Sequence, residues 1–170
     1  MESLIYKDYT IKAVVADFKQ IENLLQELKA TFAGVDHQTD TYFQVSIGKL
    51  KLRQGTIENL ITHYERKTDN GMEKTTVYQY DVNPSSEQIT SLFNSHAVIG
   101  VIKKDRMIYF IDNIKIHLDT IQEMKQFIEI EAIDRSNVFT GEALRAQCLD
   151  IKKKLGINDS DLIKTGYLTS

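Results

Sequence analysis

Several features that would settle the class of this chain at once are missing from it. Cysteine occurs once, so no internal disulfide can form, and Cys148 sits in a helix-like stretch with no His/Cys cluster nearby, which makes it a buried structural thiol. No stretch approaches the ~20 apolar residues that a membrane-spanning helix needs. Met1 leads into Glu2-Ser3, not a basic segment and an apolar core, so secretion is unsupported and the cytoplasm is the expected compartment. The formal charge of -3 argues against a general nucleic-acid binder, and any basic site must be local. The four histidines, His37, His63, His96 and His117, have no recognisable metal-ligand spacing. Neither a Ser/His/Asp or Cys/His arrangement nor a phosphate-cradling glycine loop is visible. Proline is equally scarce: Pro84 stands alone, at the end of a run of strand-like segments.

What is present is ordinary globular composition, 42% hydrophobic and 26% charged over 170 residues, which reads as a single domain over 1–170 able to bury a real core. Residues 5–15 alternate like a strand. Asp17 can cap a helix whose apolar positions Phe18, Ile21, Leu24, Leu25 and Leu28 recur at helical spacing up to Gly34. Strands are predicted over 38–45, 49–53, 57–67 and 73–82, with a hairpin turn at Asp69-Asn70-Gly71. Ser85 or Ser86 can cap a short helix burying Ile89, Leu92 and Phe93. Strands then follow over 97–103, 106–111, 114–119 and 125–133, with Asp112-Asn113 as a turn, before a long helix over 136–155 that ends at Gly156. Short successive strands imply antiparallel pairing.

The informative pattern lies in the strands. Lys49-Leu50-Lys51-Leu52-Arg53 would put three cations on one face and two leucines on the other, because side chains alternate along a strand. The same division appears in Asp8/Thr10/Lys12, Lys104/Arg106, Lys115/His117/Asp119 and Glu129/Glu131. Helices can cover the aliphatic faces. A sheet curled so that the charged faces meet would enclose a polar cavity, and enclosed charges without partners would cost several kcal/mol each. Lys12, Lys49, Lys51, Arg53, Lys104, Arg106 and Lys115 suit phosphate oxygens; Glu129, Glu131 and Asp119 are hard oxygen donors that suit Mg²⁺ or Mn²⁺.

The succession Asp40-Thr41-Tyr42-Phe43, Gly48-Lys49-Leu50-Lys51-Leu52-Arg53, His63-Tyr64-Glu65-Arg66, Lys103-Lys104-Asp105-Arg106-Met107-Ile108-Tyr109-Phe110, Ile116-His117-Leu118-Asp119 and Phe127-Ile128-Glu129-Ile130-Glu131 resembles the CYTH superfamily, and within it the class IV adenylate cyclase-like branch. The resemblance covers nearly the whole chain. It implies an α+β protein built on a closed antiparallel β-barrel, or tunnel, of about eight strands with helices packed outside. It also implies a triphosphate such as ATP held by inward cations, with one or two divalent ions on inward acids. Lys12, Arg53 and Arg106 are the expected catalytic cations, and Glu129, Glu131, Asp119 and Asp8 the expected ligands of Mg²⁺ or Mn²⁺.

Two departures stand out. Members of the superfamily open with a Glu-x-Glu-x-Lys strand, where this chain reads Asp8-x-Thr10-x-Lys12, one carboxylate short. Some relatives place a lysine at Glu65, a role open to Arg66 or Lys67. The expected function is therefore metal-dependent conversion of ATP to cyclic AMP and pyrophosphate, with organic or inorganic triphosphate hydrolysis (as in a thiamine triphosphatase) as the near alternative. Because of Thr10, non-catalytic binding of a polyphosphorylated metabolite is a third reading. Nucleic-acid and membrane partners are not expected, and the oligomeric state is open between monomer and homodimer.

Overall fold

The structure, a computed structural model, describes residues 6–69, 72–121 and 125–163. Strands β2 (Thr31–Phe43), β3 (Lys49–Gln54), β4 (Asn59–Asp69) and β5 (Met72–Val82) form one antiparallel meander. A second runs through β6 (Val98–Ile111), β7 (Ile114–Ile121) and β8 (Lys125–Asp134), and β6 pairs back along β2. The first strand, β1 (Lys7–Val14), lies between β8 and β5 and closes the sheet into the expected eight-stranded antiparallel barrel. Where β5 leaves its edge, the two-residue β9 (Leu162–Ile163) pairs with Lys12 and Ala13. Asn70 and Gly71 of the predicted hairpin turn lie outside the described residues.

Three helices cover the outside. In α1 (Phe18–Glu27), Asp17 caps the N-terminus by accepting from the Lys19 N–H at 2.9 Å. In α2 (Ser86–Ser95), Ser85 and Gln88 form a reciprocal capping box. Thr140 caps α3 (Gly141–Lys154). The barrel is inverted relative to a simple sandwich, with its grease outside. Tyr9, Ile11 and Ala13 of β1, Ile116 and Leu118 of β7, and Ile128, Ile130 and Ala132 of β8 point outward into one core with α1 and α3. A smaller core joins Phe43, Leu50, Leu52 and Ile61 to Leu92 of α2. Each buried Ile, Leu or Phe among them, taken from water, contributes roughly 1.5–3 kcal/mol. Cys148 belongs to the first core, donates to the Tyr9 carbonyl at 3.2 Å and is pushed up to about 12 by burial, so it is an inert structural thiol.

Four sequence expectations are corrected. The first helix stops at Glu27 instead of running to Gly34, because Lys29 adopts a left-handed φ of 59° and turns the chain into a much longer β2. Gly34 sits in a bulge of that strand at φ 121°. The segments 97–103 and 106–111 are one strand, since the Lys103-Lys104-Asp105-Arg106 run keeps its alternation and never turns. The last helix begins at Gly141 and not Ser136, because the Asp134 carboxylate gathers the N–H groups of Ser136, Val138 and Phe139 at 3.1–3.2 Å into a loop. Phe93, expected in the core, is 47% exposed and meets Phe43 edge-on.

Leu144 is fully buried between α3 and the barrel, whereas Phe93 is not. Leu144→Ala should lower unfolding stability by about 2–5 kcal/mol, read by urea denaturation, and Phe93→Ala by less than half as much. Equal losses would show that the inferred core boundary is misplaced.

Candidate functional site

Because side chains alternate, placing the aliphatics outside sends every second residue into the bore. The result is a cavity of about 420 Å³ whose described lining includes nine cations, Lys12, Lys49, Lys51, Arg53, Arg66, Lys104, Arg106, Lys115 and Arg135. Asp8, Glu65, Glu73, Glu129 and Glu131 are its carboxylates. All seven cations expected from the sequence therefore meet in one cavity, as do Glu129, Glu131 and Asp8. Strand register explains how they are kept there: Asp40 lies opposite Arg53, Asp119 opposite Arg106, and Glu129 opposite both Lys12 and His117.

The cationic wall is held from behind. Asp40 receives Arg53 Nε and Nη2 at 2.9 Å each and Lys104 Nζ at 2.5 Å. Burial alone would raise the Asp40 carboxyl, but Arg53, Lys51 and Lys104 hold it well below the usual range. Asp119 does the same for Arg106, with contacts of 2.7 and 2.8 Å. Asp119, expected as a metal ligand, is fully buried behind Arg106 with its oxygens turned to the guanidinium, and it is not among the cavity-lining residues, so in this arrangement it orients Arg106.

Lys12 and Glu129 face each other at 3.6 Å, and Arg66 and Arg106 approach Glu129 at 3.6 and 3.8 Å. Burial would raise Glu129, and these three cations together keep it ionised. Lys51 differs from its neighbours. Among the described residues no carboxylate lies within ion-pair distance of it, its Nζ sits over the Tyr64 ring at 5.3 Å, and burial with Arg53 beside it pulls its pKa well below the usual lysine value. Burial and Arg53 also draw Lys104 down to about 8. Both nitrogens of buried His117 lack a hydrogen-bond partner among the described residues. Burial and the surrounding cations, Arg106 first, keep the ring neutral, so it offers one donor and one acceptor to the cavity.

On the acidic side, Asp8 is buried in hydrogen-bonding contact with Glu131, and burial followed by the Glu131 charge raises its pKa well above the usual value. Thr10, opposite Glu131 and 3.5 Å from Asp8, does not line the cavity. Among the described residues, no three His, Cys, Asp or Glu side chains cluster closely enough to hold a metal by themselves.

Sequence reasoning left Arg66 undecided and missed Arg135, Asp40, Asp36 and Glu58. Arg66 was recoverable: it shares parity with Thr62 and Tyr64, both inward, while Lys67 is exposed. Glu65, at the position some relatives fill with lysine, accepts from the Tyr78 hydroxyl at 3.0 Å. Arg135 follows β8 and stacks on Tyr6 and Tyr80, at 4.3 and 5.0 Å from their ring centres.

A closed antiparallel barrel with helices outside and a bore lined by opposed cations and carboxylates defines a tunnel protein whose interior is built for charged ligands. Its family follows from the sequence: the CYTH domain profile matches residues 7–167, and the chain belongs to that family. Among solved structures it resembles the PH1012 protein of Pyrococcus horikoshii OT3, with 27% identity over 94% of this chain and 96% of that one and a TM-score of 0.77. It is similar in fold to a protein from Vibrio parahaemolyticus proposed to be an adenylate cyclase (15% identity, 98% and 97% covered, TM-score 0.77). The same holds for a proposed adenylyl cyclase from Hippeastrum described as having a dominant triphosphatase activity (14% identity, 88% of each chain, TM-score 0.59). No curated protein matches the chain. Among the described residues, no helix is long and apolar enough to cross a membrane.

The Asp8–Glu131 contact sets a pH dependence. Asp8 keeps its proton to higher pH in the fold than in the unfolded chain, so its contribution to stability is fully present below about pH 3.9 and is lost as pH rises through its raised folded pKa. In chelator, the Asp8→Asn protein should therefore gain stability over the parent as pH is raised from 4 to 8, measured as urea midpoints. A difference that shrinks over that range would contradict the raised pKa of Asp8.

Proposed function

We propose that this protein is a metal-dependent enzyme acting on a nucleoside or organic triphosphate, and that its leading reaction is conversion of ATP to cyclic AMP and pyrophosphate. The observation that carries this reading is the meeting of Lys12, Lys49, Lys51, Arg53, Lys104, Arg106 and Lys115 in one cavity opposite Asp8, Glu129 and Glu131. Three linked phosphates need several point charges and forks within a few ångströms of one another, which is what successive inward positions on neighbouring strands provide. The Tyr6–Tyr80–Arg135 stack at the cavity wall supports an organic head group, since aromatic and guanidinium faces suit a flat ring.

Metal binding is part of the proposal. The donor chemistry fits a hard divalent ion that borrows most of its ligands from the substrate: Asp8 and Glu131 form a close carboxylate pair, with Glu129 as the next acid on the same strand face. Mg²⁺ or Mn²⁺ held there would bridge phosphate oxygens and neutralise part of their charge. The chain's own residues do the rest by position. Arg106 and Arg53, oriented by Asp119 and Asp40, are set to hold phosphoryl oxygens and to stabilise charge developing on the leaving pyrophosphate. Lys12, steadied by Glu129, reaches the same space from β1. Such placement supports in-line attack either by a ribose 3′-hydroxyl at the α-phosphorus or by water at the terminal phosphorus. Hydrolysis is the second reading, favoured by the excess of cation contacts over any group visibly placed to select a ribose hydroxyl.

Incubation with ATP, thiamine triphosphate and inorganic triphosphate in Mg²⁺ or Mn²⁺, followed by chromatography, separates these outcomes. Cyclic AMP from ATP is expected; phosphate release without it would replace cyclase by triphosphatase. Lys51→Ala and Arg106→Ala should each weaken inorganic triphosphate binding about tenfold or more, since charge-assisted contacts are worth roughly 1.5–3 kcal/mol. Undetectable binding by the parent would end the triphosphate reading.

Thr10 offers a separate test of the metal side. Thr10→Glu adds a carboxylate facing Glu131, so in chelator it should lower the melting temperature by several degrees through like-charge repulsion. Mg²⁺ or Mn²⁺ should then raise that temperature more than it does in the parent. An equal metal-induced shift in both proteins would remove Asp8 and Glu131 from the metal site.

A further inference from the structure

The cavity's cations are not all engaged alike. Arg53 uses Nε and Nη2 on Asp40 and turns Nη1 to Glu58 Oε1 at 3.2 Å. The other Glu58 oxygen takes Lys115 Nζ, and Gln38 Nε2 donates to Oε1 at 3.1 Å. Glu58 belongs to the β3–β4 connection, yet it ends on a lysine of β7, and β2 and β6 stand between β3 and β7 in the barrel. Its carboxylate therefore links two cavity cations that stand on different walls, while Glu58 itself is not among the residues lining the cavity. The loop carrying it is fixed through its backbone: Asp36 accepts from the N–H groups of Ile57 at 2.7 Å and Glu58 at 3.0 Å, and from Thr56 Oγ1 at 3.1 Å. Gly55 makes this approach possible, since a Cβ there would stand 2.5 Å from Asp36 Oδ1. Although burial opposes ionisation, Lys115 and Arg53 bring Glu58 down to about 2, so it is an anion throughout the physiological range.

We propose that Glu58 is a built-in anion occupying a phosphate position between Arg53 and Lys115, and that it thereby limits the number of phosphate groups the cavity accepts; this rests on reading the cavity as a triphosphate site. A carboxylate bridging a guanidinium and an ammonium makes the contacts that two oxygens of a phosphate would make. While it is there, a chain of phosphates is held mainly by other cations, Lys51 and Arg106 among them, with Arg53 and Lys115 offering only the donors that Glu58 leaves over, and an additional phosphate finds that pair already bridged. Removing the charge converts a specificity limit into an open subsite.

The test compares inorganic triphosphate with inorganic tetraphosphate by calorimetry, in the parent and in Glu58→Gln, at fixed ionic strength. The parent should bind the two with similar affinity. Glu58→Gln should bind both more tightly, because a negative charge is gone, but should favour tetraphosphate over triphosphate by about tenfold, the effect of one added charge-assisted contact. The ratio is decisive, since a general rise in potential moves both ligands together. Glu58→Asp, which keeps the charge on a shorter arm, should leave the ratio within threefold of the parent's. The loop is anchored through backbone N–H groups and Asp36, so both variants retain its course, and melting temperatures measured alongside confirm a folded protein. An unchanged tetraphosphate-to-triphosphate ratio in Glu58→Gln overturns the proposal while leaving triphosphate binding intact. Failure of the parent and both variants to bind either ligand overturns the triphosphate reading and this inference together.

Discussion

Asp40 does more than pair with one arginine. It takes the fork of Arg53 and the ammonium of Lys104 at once, from a fully buried position on β2, and the cationic wall depends on it. Bringing Arg53, Lys104 and Lys51 together without a counter-charge would place like charges in a low-dielectric bore, where their repulsion is several times larger than in water. Breaking such a buried arrangement by removing its acid is typically costly, about 3–5 kcal/mol, because the partners stay buried and uncompensated. Asp119 repeats the solution for Arg106 one hairpin away. Backing carboxylates fix where the cations point.

That arrangement is possible only because the barrel's apolar residues face outward. Helices α1 and α3 on one side and α2 on the other supply the hydrophobic burial that a small barrel would otherwise take from its own interior. Stability and site chemistry are thus drawn from opposite faces of the same strands. Ile116 and Leu118 pack under the helices while Lys115 and His117, their immediate neighbours, line the bore. A one-residue slip of register would exchange the two sets, which is a strong reason for the pairing to be unique.

Period-two alternation is local, and it was legible: the inward cations and the carboxylates of β1 and β8 could be read from it, while closure into a barrel of about eight strands came from the resemblance to the CYTH superfamily. What escaped depends on contacts distant in sequence. Glu58 lies in what reads as a turn beside Gly55, and nothing local says that it ends on Lys115 of β7. Asp36 fell between the helix expected to reach Gly34 and the strand expected over 38–45, and Asp40, though inside that strand, has partners on β3 and β6 that its own strand does not announce. Asp119 was placed on the right face, but alternation says which side a group takes and not that an arginine stands in front of it. In β5, the register shift beside Tyr64 changes the inward parity from Thr75 and Val77 to Tyr80, and such shifts are set by pairing partners.

The groups left unresolved inside the cavity also have a common logic. Lys51 lacks an ion-pair partner among the described residues, burial and then the Glu131 charge raise the pKa of Asp8 well above the usual value, and His117 has neither ring nitrogen satisfied. Outside the cavity Cys148 has its acceptor, and Asp134 and Thr140 meet their backbone donors, although Gln38 Oε1 and Arg145 Nε are also without a partner among the described residues. Buried polar groups without partners cost stability, and a fold selected for stability alone would not concentrate them on facing strands. Their signs are complementary: an anion against Lys51 would relieve its desolvation, and a cation between Asp8 and Glu131 would relieve their repulsion. A polyphosphate bearing a divalent metal supplies both in one molecule. It would also give His117 an acceptor for its N–H, so the same ligand answers three separate electrostatic costs.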